Sequence, residues 1–300
     1  MAIVAIRPRQ PRRRRGRTGQ GAGRWFVLPA AALFAVFFIY PLGASLWQSL
    51  HRVEAGTSTW VGLAQYQRLF SDPLVAKSLI NAGIILIIQV PLMIVLAIGL
   101  AYLLNQSWLR FRGGFRLLTF MPAVTTLVAY AVVFRVLLKT DGGAVNQIIE
   151  AFGGTGVDWL HNEWWAKVAV IAAITWRWTG YNMVIILAGL QAIPAEQYEA
   201  ARMDGAGKWR IFRSIVLPQL RPVILFTTIT STIGALQLFD ENYILTAGGP
   251  NDATLTPVLY LYKVGFKQFD FGYASAIAWL LVILTGIISI VQFRMMREKS

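Results

Sequence analysis

Long apolar stretches alternate with shorter polar and basic segments along this chain of 300 residues. Crossing about 30 Å of hydrocarbon takes roughly twenty apolar residues in a helix that rises about 1.5 Å per residue. Six stretches are long enough, and each is predicted to be a helix because isolated strands leave backbone groups unbonded in lipid. The predicted spans are 25–50, 79–104, 115–138, 166–191, 222–244 and 273–293.

The segments outside the spans define the predicted organisation. Residues 1–24, rich in Arg, Pro and Gly, are expected to form a disordered basic arm. A six-span domain follows over 25–295, and residues 296–300 form a tail. The run Arg12-Arg13-Arg14-Arg15 favours an orientation signal that touches lipid headgroups. The apolar run after the arm is too long for a cleaved signal peptide and lacks a clear small-residue cleavage site, so a retained first span is expected.

Composition supports a membrane protein. Apolar residues make up 56% of the chain and the mean hydropathy is +0.54, which is too apolar for an ordinary soluble domain. The chain contains no cysteine, which excludes disulfides and cysteine nucleophiles. Its two histidines, His51 and His161, lie far apart in loops, so no metal site is expected.

The distribution of Lys and Arg predicts which segments face the cytoplasm. Nineteen of them lie in the N-terminal arm, the second and fourth loops and the tail. Seven lie in the alternate loops, where eight acidic residues outnumber them. Because Lys and Arg resist translocation, both termini are predicted to be cytoplasmic. The formal charge of +14 is therefore interpreted as an orientation signal and not as a nucleic-acid surface.

The polar segment 192–221, between the fourth and fifth predicted spans, has the pattern of a helical hairpin. Pro194 is placed to start a helix that runs to about Met203. Gly205 allows a sharp reversal that a residue with a Cβ would resist. Residues 208–216 then form a basic amphipathic second helix. From the residues alone, the hairpin either docks into another protein or lies at the membrane surface with its arginines on lipid headgroups.

The spacing within this hairpin carries a resemblance. Glu199-Ala200-Ala201 is followed by Gly205, Ile215 and the pair Leu217-Pro218, at the spacing found in the coupling loop of permease subunits of bacterial ATP-binding cassette importers. The resemblance implies a type I permease fold with a cytoplasmic coupling hairpin that docks on an ATPase. The positions it assigns to coupling are Glu199, Ala200, Ala201, Asp204, Gly205, Ile215, Leu217 and Pro218.

Further motifs resemble the carbohydrate-uptake, maltose-type branch of those permeases. They include Ser71-Asp72-Pro73 upstream, and Phe239-Asp240 with Gly248-Gly249-Pro250 downstream. The similarity runs over about 25–293. It implies a subunit of a sugar importer in the bacterial inner membrane, paired with a second permease that is expected to be a different chain. It also implies two ATPase subunits, an extracytoplasmic solute-binding protein, and a substrate among oligosaccharides, disaccharides, polyols or their phosphates.

An importer of this kind hydrolyses ATP, and the sequence indicates that another chain must do so. A P-loop needs Gly, four residues, then Gly-Lys and a hydroxyl residue to hold phosphates and magnesium. At Gly207-Lys208 the first glycine is replaced by Arg202 and the hydroxyl residue by Trp209. We therefore expect no catalytic residues and no cofactor on this chain, with ATP and Mg²⁺ bound by the partner ATPase.

Polar residues inside spans mark a candidate substrate route because they are costly in lipid. In the fifth span, Thr227, Thr230, Ser231, Gly234, Gln237 and Glu241 fall on one helix face. The first four fit close helix packing as well as a pathway. The amide and carboxylate of the last two favour a ligand with many hydroxyls. Asp240 lies off this face and is expected to be a gating or structural partner.

The fourth span offers a second set. Trp178 and Asn182 share a face on which an indole could stack against a sugar ring and an amide could bind hydroxyls. Lipid or core packing is the alternative for Trp178. Arg177 and Tyr181 are expected to project roughly opposite, so that both sets cannot line one route, and Arg177 would pair across a subunit interface. The candidate route is thus Trp178, Asn182, Thr230, Ser231, Gln237 and Glu241, with Arg177 and Asp240 as gating or interface residues.

Two other classes of function fit parts of the sequence. A secondary transporter would need ionisable pairs near the membrane midplane, and often internal repeats. Only Arg177 is deep, and the hairpin would have no role. A membrane-anchored scaffold that binds anionic partners would depend on the Arg-rich arm.

Overall fold

The computed structural model describes residues 20–54, 57–106 and 108–297, and it divides the chain into two compact units between Trp47 and Gln48. Residues 1–19 of the predicted arm and 298–300 of the predicted tail lie outside the described residues. The first helix begins at Gln20, so a disordered arm that reaches residue 24 is wrong for its last five residues. Extending an existing helix costs far less than starting one, which lets the apolar first helix continue into them.

The first unit is helical over its described part, 20–47. Helices α1 (Gln20–Phe34) and α2 (Tyr40–Ser49) are joined by a π-helical turn over Ala35–Ile39, in which the Tyr40 N–H bonds to the Ala35 carbonyl. The wider turn directly precedes Pro41, a residue that has no N–H to donate. Residues 27–49 are long and apolar enough to span a membrane.

The second unit begins with an element that the all-helical prediction did not include. Strands β1 (His51–Glu54) and β2 (Thr57–Trp60) pair antiparallel, with His51 opposite Trp60. The two rings lie 5.0 Å apart, edge to face. The hairpin lies outside the candidate spans, where water can bond to the strand edges that lipid could not.

The rest of the second unit is helical within the described residues. Three of its helices are long and apolar enough to cross a membrane as single elements: α4, α8 and residues 271–295 of α14. The helices are α3 (Ala64–Ser71), α4 (Pro73–Leu104), α5 (Arg112–Val124), α6 (Leu127–Leu137), α7 (Ala144–Ala151), α8 (Glu163–Gln191), α9 (Ala195–Met203), α10 (Lys208–Ile211), α11 (Leu217–Leu236), α12 (Asp240–Leu245), α13 (Pro257–Tyr262) and α14 (Phe271–Arg297).

The predicted third span, 115–138, is not one helix. Helices α5 and α6 meet at an angle of 99° across Thr125 and Thr126. Thr125 is extended, and Thr126 caps α6 by accepting a hydrogen bond from the Ala129 N–H through its hydroxyl. Threonine favours caps and extended backbone over helix interiors, so these two residues divide an apolar run that otherwise reads as continuous.

The predicted fifth span, 222–244, is also broken. A continuous helical segment, Lys208–Leu236, is followed by α12 at an angle of 47°. Between them, the carbonyl of Leu238 leaves the helical pattern and accepts a hydrogen bond of 2.6 Å from the Thr256 hydroxyl. This tertiary contact stabilises the break, because the carbonyl would otherwise be buried without a partner. The described residues therefore contain four to six candidate spans, depending on whether each bent pair counts as one.

Helices α4 and α8 pack along the centre of the second unit. Ala97 and Ala101 of α4 meet Met183 and Ile186 of α8, and all four side chains have no exposed surface. Small side chains on one helix allow the two backbones to approach, which is how membrane helices gain contact area. The candidate site is built around this pair.

Candidate functional site

A cavity of about 400 Å³ lies between α4, α8 and α11, at the break between α11 and α12. Its wall combines apolar side chains with a dense set of polar ones. Such a mixture is typical of small-molecule sites, where apolar contacts supply area and a few polar groups fix orientation. The polar and aromatic residues on the wall are Gln89, Arg177, Trp178, Tyr181, Asn182, Thr230, Ser231, Phe239, Gln237, Asp240 and Glu241.

All six residues named from sequence as a route line this one cavity. Trp178 and Asn182 come from α8, Thr230 and Ser231 from α11, and Gln237 and Glu241 from the two sides of the break. The single helix face predicted for the fifth span is wrong beyond Leu236, since the helix stops there. The break itself turns the last polar residues toward the cavity.

Thr227 was placed on the same face but belongs to the packed interior. It has no exposed surface, and its hydroxyl bonds to the carbonyls of Val223 and Ile224 at 3.0 Å each. Thr230 also bonds back to its own helix, at 2.8 Å to the Phe226 carbonyl, yet it reaches the cavity wall. The stripe is therefore divided between packing at its N-terminal end and cavity lining toward its C-terminal end.

The expectation that Arg177 and Tyr181 project away from Trp178 and Asn182 is wrong. All four line the cavity. Successive helix positions differ by about 100°, so these four lie within an arc of about 140°. The space beside α8 is wide enough to cover that arc. Asp240 lines the same cavity and does not stand apart from it.

Arg177 is buried in the cavity wall, with 6% of its surface exposed. Its guanidinium carbon lies 4.6 Å from the ring centroid of Tyr130 and 5.5 Å from that of Trp178. These contacts with ring faces are favourable for a cation. The Nε and Nη1 groups of Arg177 have no hydrogen-bond partner among the described residues.

Glu241 and Tyr130 complete the surroundings of that guanidinium. Glu241 is 5% exposed, and both Glu241 and Arg177 act electrostatically on the Tyr130 hydroxyl. No ion pair joins Arg177 to a carboxylate within the described part of the chain. The carboxylate of Glu241 and the guanidinium of Arg177 therefore both lie near Tyr130 but form no ion pair with each other.

The amide of Asn182 links three helices beneath the cavity. Its nitrogen donates to the Trp178 carbonyl at 3.0 Å and lies 3.4 Å from the Met93 sulfur on α4. Its oxygen accepts from the Ser231 hydroxyl of α11 at 3.5 Å. Gln89 also reaches the Met93 sulfur, at 3.4 Å. These contacts hold the polar side chains of the wall in place.

Sequence reasoning missed Tyr130 and did not include Gln89 in the candidate route. Gln89 was visible as an amide inside an apolar run, which is a usable signal. Tyr130 offered none, because its place beside Arg177 depends on the 99° turn between α5 and α6.

The predicted coupling hairpin is formed by α9, a turn over 204–207, and the start of the fifth span. Pro194 precedes α9, and Gly205 has a φ of +76°, which favours glycine. Glu199, Ala200, Asp204 and Gly205 are exposed. Ala201 and Ile215 pack instead against the protein's own core, together with Ile211 and Val216.

The second helix of the hairpin was expected to be a separate element, but it is not. Residues 208–236 are helical without interruption, through a π-helical turn over Phe212–Val216. In that turn the Leu217 N–H bonds to the Phe212 carbonyl, and the wider geometry directly precedes Pro218, which has no N–H. Leu217 and Pro218 thus lie inside the helix, and the second arm of the hairpin continues directly into the predicted fifth span.

Two exposed apolar residues flank the turn of the hairpin and were not singled out from sequence. Met203 is 89% exposed and Trp209 is 72% exposed. Large apolar side chains that protrude on either side of a turn are typical of a contact surface. A second cavity, of about 570 Å³, lies behind α9 and is lined by Tyr102, Tyr198, Glu199, Arg202 and Lys208 among others. Burial and the nearby Tyr102 raise the pKa of the Tyr198 hydroxyl.

The motif around Asp72 forms a polar junction at the other end of the second unit. The Asp72 carboxylate accepts hydrogen bonds from the hydroxyls of Tyr260 and Tyr273, at 2.6 and 2.7 Å, and from the Leu74 N–H at 2.8 Å. Burial acts to raise the pKa of Asp72, but these bonds outweigh it and lower the pKa below its ordinary value. Arg68 covers the Tyr273 ring at 3.9 Å and bonds to Asp270 at 2.7 Å.

The chain is similar to known membrane transport proteins. Residues 75–297 match the family model described as the binding-protein-dependent transport system inner membrane component. The chain is 45% identical to the lactose transport system permease protein LacF of Rhizobium radiobacter, over 93% of this chain and 95% of that one. It is 33% identical to the trehalose/maltose transport system permease protein MalF of Thermococcus litoralis, over 92% and 93% of the two chains.

A solved structure shares the fold. It is a chain of a bacterial ABC transporter involved in the import of the acidic polysaccharide alginate. The two chains superpose with a TM-score of 0.82 at 21% identity, covering 93% of this chain and 96% of the other.

Proposed function

Because the chain belongs to the family of binding-protein-dependent transport system inner membrane components, we propose that it is one of two permease chains of an ATP-driven sugar importer. The importer lies in the bacterial inner membrane. This chain contributes part of the route and connects it to a motor on separate subunits. The cavity at the break of the fifth span carries the proposal, since its amides, hydroxyls and aromatic rings match the surface of a sugar.

In the proposed membrane arrangement, each bent pair counts as one span, and the chain crosses six times. The distribution of Lys and Arg supports a cytoplasmic location for the hairpin and for the C-terminal end of the last helix. The cavity then lies toward the outer side and α9 toward the cytoplasm. Both termini are cytoplasmic in this arrangement.

The hairpin is the proposed link to the ATPases. Its exposed edge carries Glu199, Ala200 and Gly205, with Met203 and Trp209 projecting beside them. Residues 208–236 form a single helix that ends at the cavity, so a displacement of the turn is transmitted directly to the cavity wall. ATP binding closes the ATPases, carries the hairpin along and opens the route outward; hydrolysis resets it.

The partners and the chemistry follow from that role. Two ATPase subunits bind ATP and Mg²⁺, and a second permease, which is a different chain, completes the route. An extracytoplasmic solute-binding protein delivers the ligand. This chain forms and breaks no covalent bonds. The 45% identical relative is named for lactose transport, which makes a disaccharide a suitable first substrate to test.

Reconstitution tests the proposal. The chain is co-expressed with the permease, ATPase and binding-protein genes beside its own gene, and the complex is placed in proteoliposomes. We expect uptake of labelled lactose, maltose, trehalose or arabinotriose that needs both ATP and the binding protein.

A matched pair of variants then locates the route. Trp178→Ala changes the cavity wall and is expected to impair uptake, whereas Trp164→Ala, a change of the same size outside the cavity, leaves it intact. Purified complexes that contain no ATPase, or uptake that proceeds without ATP, would contradict the proposed function.

A further inference from the structure

The cavity holds a buried cation whose bonding capacity is only partly used. Arg177 is 6% exposed, and its Nε and Nη1 groups have no hydrogen-bond partner among the described residues. A buried guanidinium without acceptors is costly. Its contacts with the rings of Tyr130 and Trp178 offset part of that cost but occupy none of its N–H groups. Because Arg177 lies on the cavity wall, a ligand in the cavity can supply the missing acceptors.

The other charges on the wall limit what that ligand can be. Asp240 and Glu241 both line the cavity, so its wall carries one cation and two carboxylates, a formal net charge of −1. Glu241 is 5% exposed and shares the Tyr130 hydroxyl as a neighbour with Arg177. An acceptor that approaches Arg177 therefore also approaches a buried carboxylate.

We propose that Arg177, Asp240 and Glu241 select uncharged sugars over acidic or phosphorylated ones, an inference that rests on the proposed sugar-import function. A hydroxyl both accepts and donates a hydrogen bond. Placed between the guanidinium and Glu241, it accepts from Arg177 and donates to the carboxylate, which satisfies both groups at once. Arg177 thus binds the hydroxyl, and the two carboxylates determine the preference for an uncharged ligand.

An acidic ligand interacts differently with these three residues. Its carboxylate or phosphate can accept from Arg177, and a lone arginine fork would favour such an anion. Here it would face Asp240 and Glu241 as well and could donate nothing to them. At an effective dielectric constant of about 20, one uncompensated like charge within the cavity lowers affinity by roughly tenfold or more.

Two pairs of probes isolate charge from shape. Lactitol and lactobionate are disaccharide derivatives that differ in the group at one open-chain end, an alcohol or a carboxylate; maltitol and maltobionate form a second pair. Binding to the intact complex in nanodiscs, without the binding protein, is measured by saturation-transfer NMR. Uptake of lactose and maltose is measured with the same purified complexes in proteoliposomes. We expect the neutral member of a pair to bind at least about tenfold more tightly.

The variants remove one charge at a time with little change in shape. Glu241→Gln and Asp240→Asn are each expected to reduce the preference for the neutral probe by about threefold or more, and the double variant to reverse it. Arg177→Gln weakens binding of the neutral probe and increases its preference over the acid. Asp141→Asn removes the same charge from an exposed loop outside the cavity and leaves the ratio unchanged.

Equal binding of both probes, tighter binding of the acid, or a ratio that Glu241→Gln and Asp240→Asn do not change overturns the charge selection. Lactose or maltose uptake persists in those cases, so the proposed function stands. Absence of both uptake and binding overturns the proposed function itself. Gel filtration of each complex identifies a variant that fails to assemble, and the two single variants then decide the result without the double one.

Discussion

The carbonyl oxygen of Thr119 occupies the space that a side chain at Gly180 would need. A Cβ at Gly180 would lie 1.8 Å from that oxygen and 2.6 Å from the Thr119 carbonyl carbon. Helices α5 and α8 therefore cross with their backbones in direct contact. Gly180 lies between Arg177 and Asn182 in the sequence. The close crossing therefore fixes the position of the cavity residues of α8 relative to α5.

Gly180→Ala is expected to force α5 and α8 apart. Backbone atoms cannot move aside as a flexible side chain can, so the change should cost about 1–3 kcal/mol or more in stability, beyond any gain in helix propensity. Thermal unfolding of the purified complex measures the loss. Gly99→Ala in α4 is the control, since no other atom lies within 4 Å of its added Cβ. Equal stability of the two variants would contradict the close crossing.

The turn of the hairpin gives a prediction about coupling. Gly205 has a φ of +76°, whereas proline requires about −65°, so Gly205→Pro reshapes the turn without touching the cavity. ATP hydrolysis should continue while uptake falls at least about tenfold, because the motion no longer reaches the helix at 208–236. Glu199→Lys, which reverses an exposed charge, should act in the same direction.

Gly207→Ala is the matched control for the turn. Gly207 has a φ of −69° and nothing lies within 4 Å of an added Cβ, so alanine fits without strain. The ratio of sugar transported to ATP hydrolysed is the measurement. Full uptake in both Gly205→Pro and Glu199→Lys would refute the docking role of the hairpin.

The junction at Asp72 predicts a dependence of stability on pH. The lowered pKa of Asp72 means that its carboxylate stabilises the folded state at a pH above its ordinary value of 3.8. That contribution is lost as the pH falls through the lowered folded-state pKa. Asp72→Asn should therefore lower the melting temperature at pH 7, and the difference from wild type should shrink in strongly acid solution.

Two variants separate the causes at this junction. Tyr273→Phe and Tyr260→Phe each remove one hydroxyl donor and should each cost about 1 kcal/mol at neutral pH. Asp141→Asn, in an exposed loop, should show no such pH dependence. A constant difference between wild type and Asp72→Asn across the acid range would mean that the carboxylate charge contributes nothing.

The Arg-rich arm provides the last prediction. Deleting residues 2–20 should leave sugar uptake within about twofold of wild type if the shortened chain still inserts, since positive charge near the first span acts on orientation. A scaffold that bound anionic partners through the arm would lose its activity instead. Immunodetection in membrane fractions provides the control for insertion.

The sequence by itself determined the helical class, the approximate positions of the apolar segments and the identity of the polar residues around the cavity. Hydrophobic length and the cost of polar groups in lipid are local properties, so they can be read without knowing the fold. Trp178, Asn182 and Glu241, named from sequence as candidates for a substrate route, all line the cavity, although the face that Glu241 shared with Thr227 was wrong.

Only the tertiary structure decided where the spans break and what meets at those breaks. The carbonyl of Leu238 needs the hydroxyl of Thr256, eighteen residues away, before the fifth span can stop at Leu236. In the same way, the turn between α5 and α6 sets Tyr130 beneath Arg177. Both are contacts between segments distant in sequence. They help to place Arg177, Asp240 and Glu241 around one cavity.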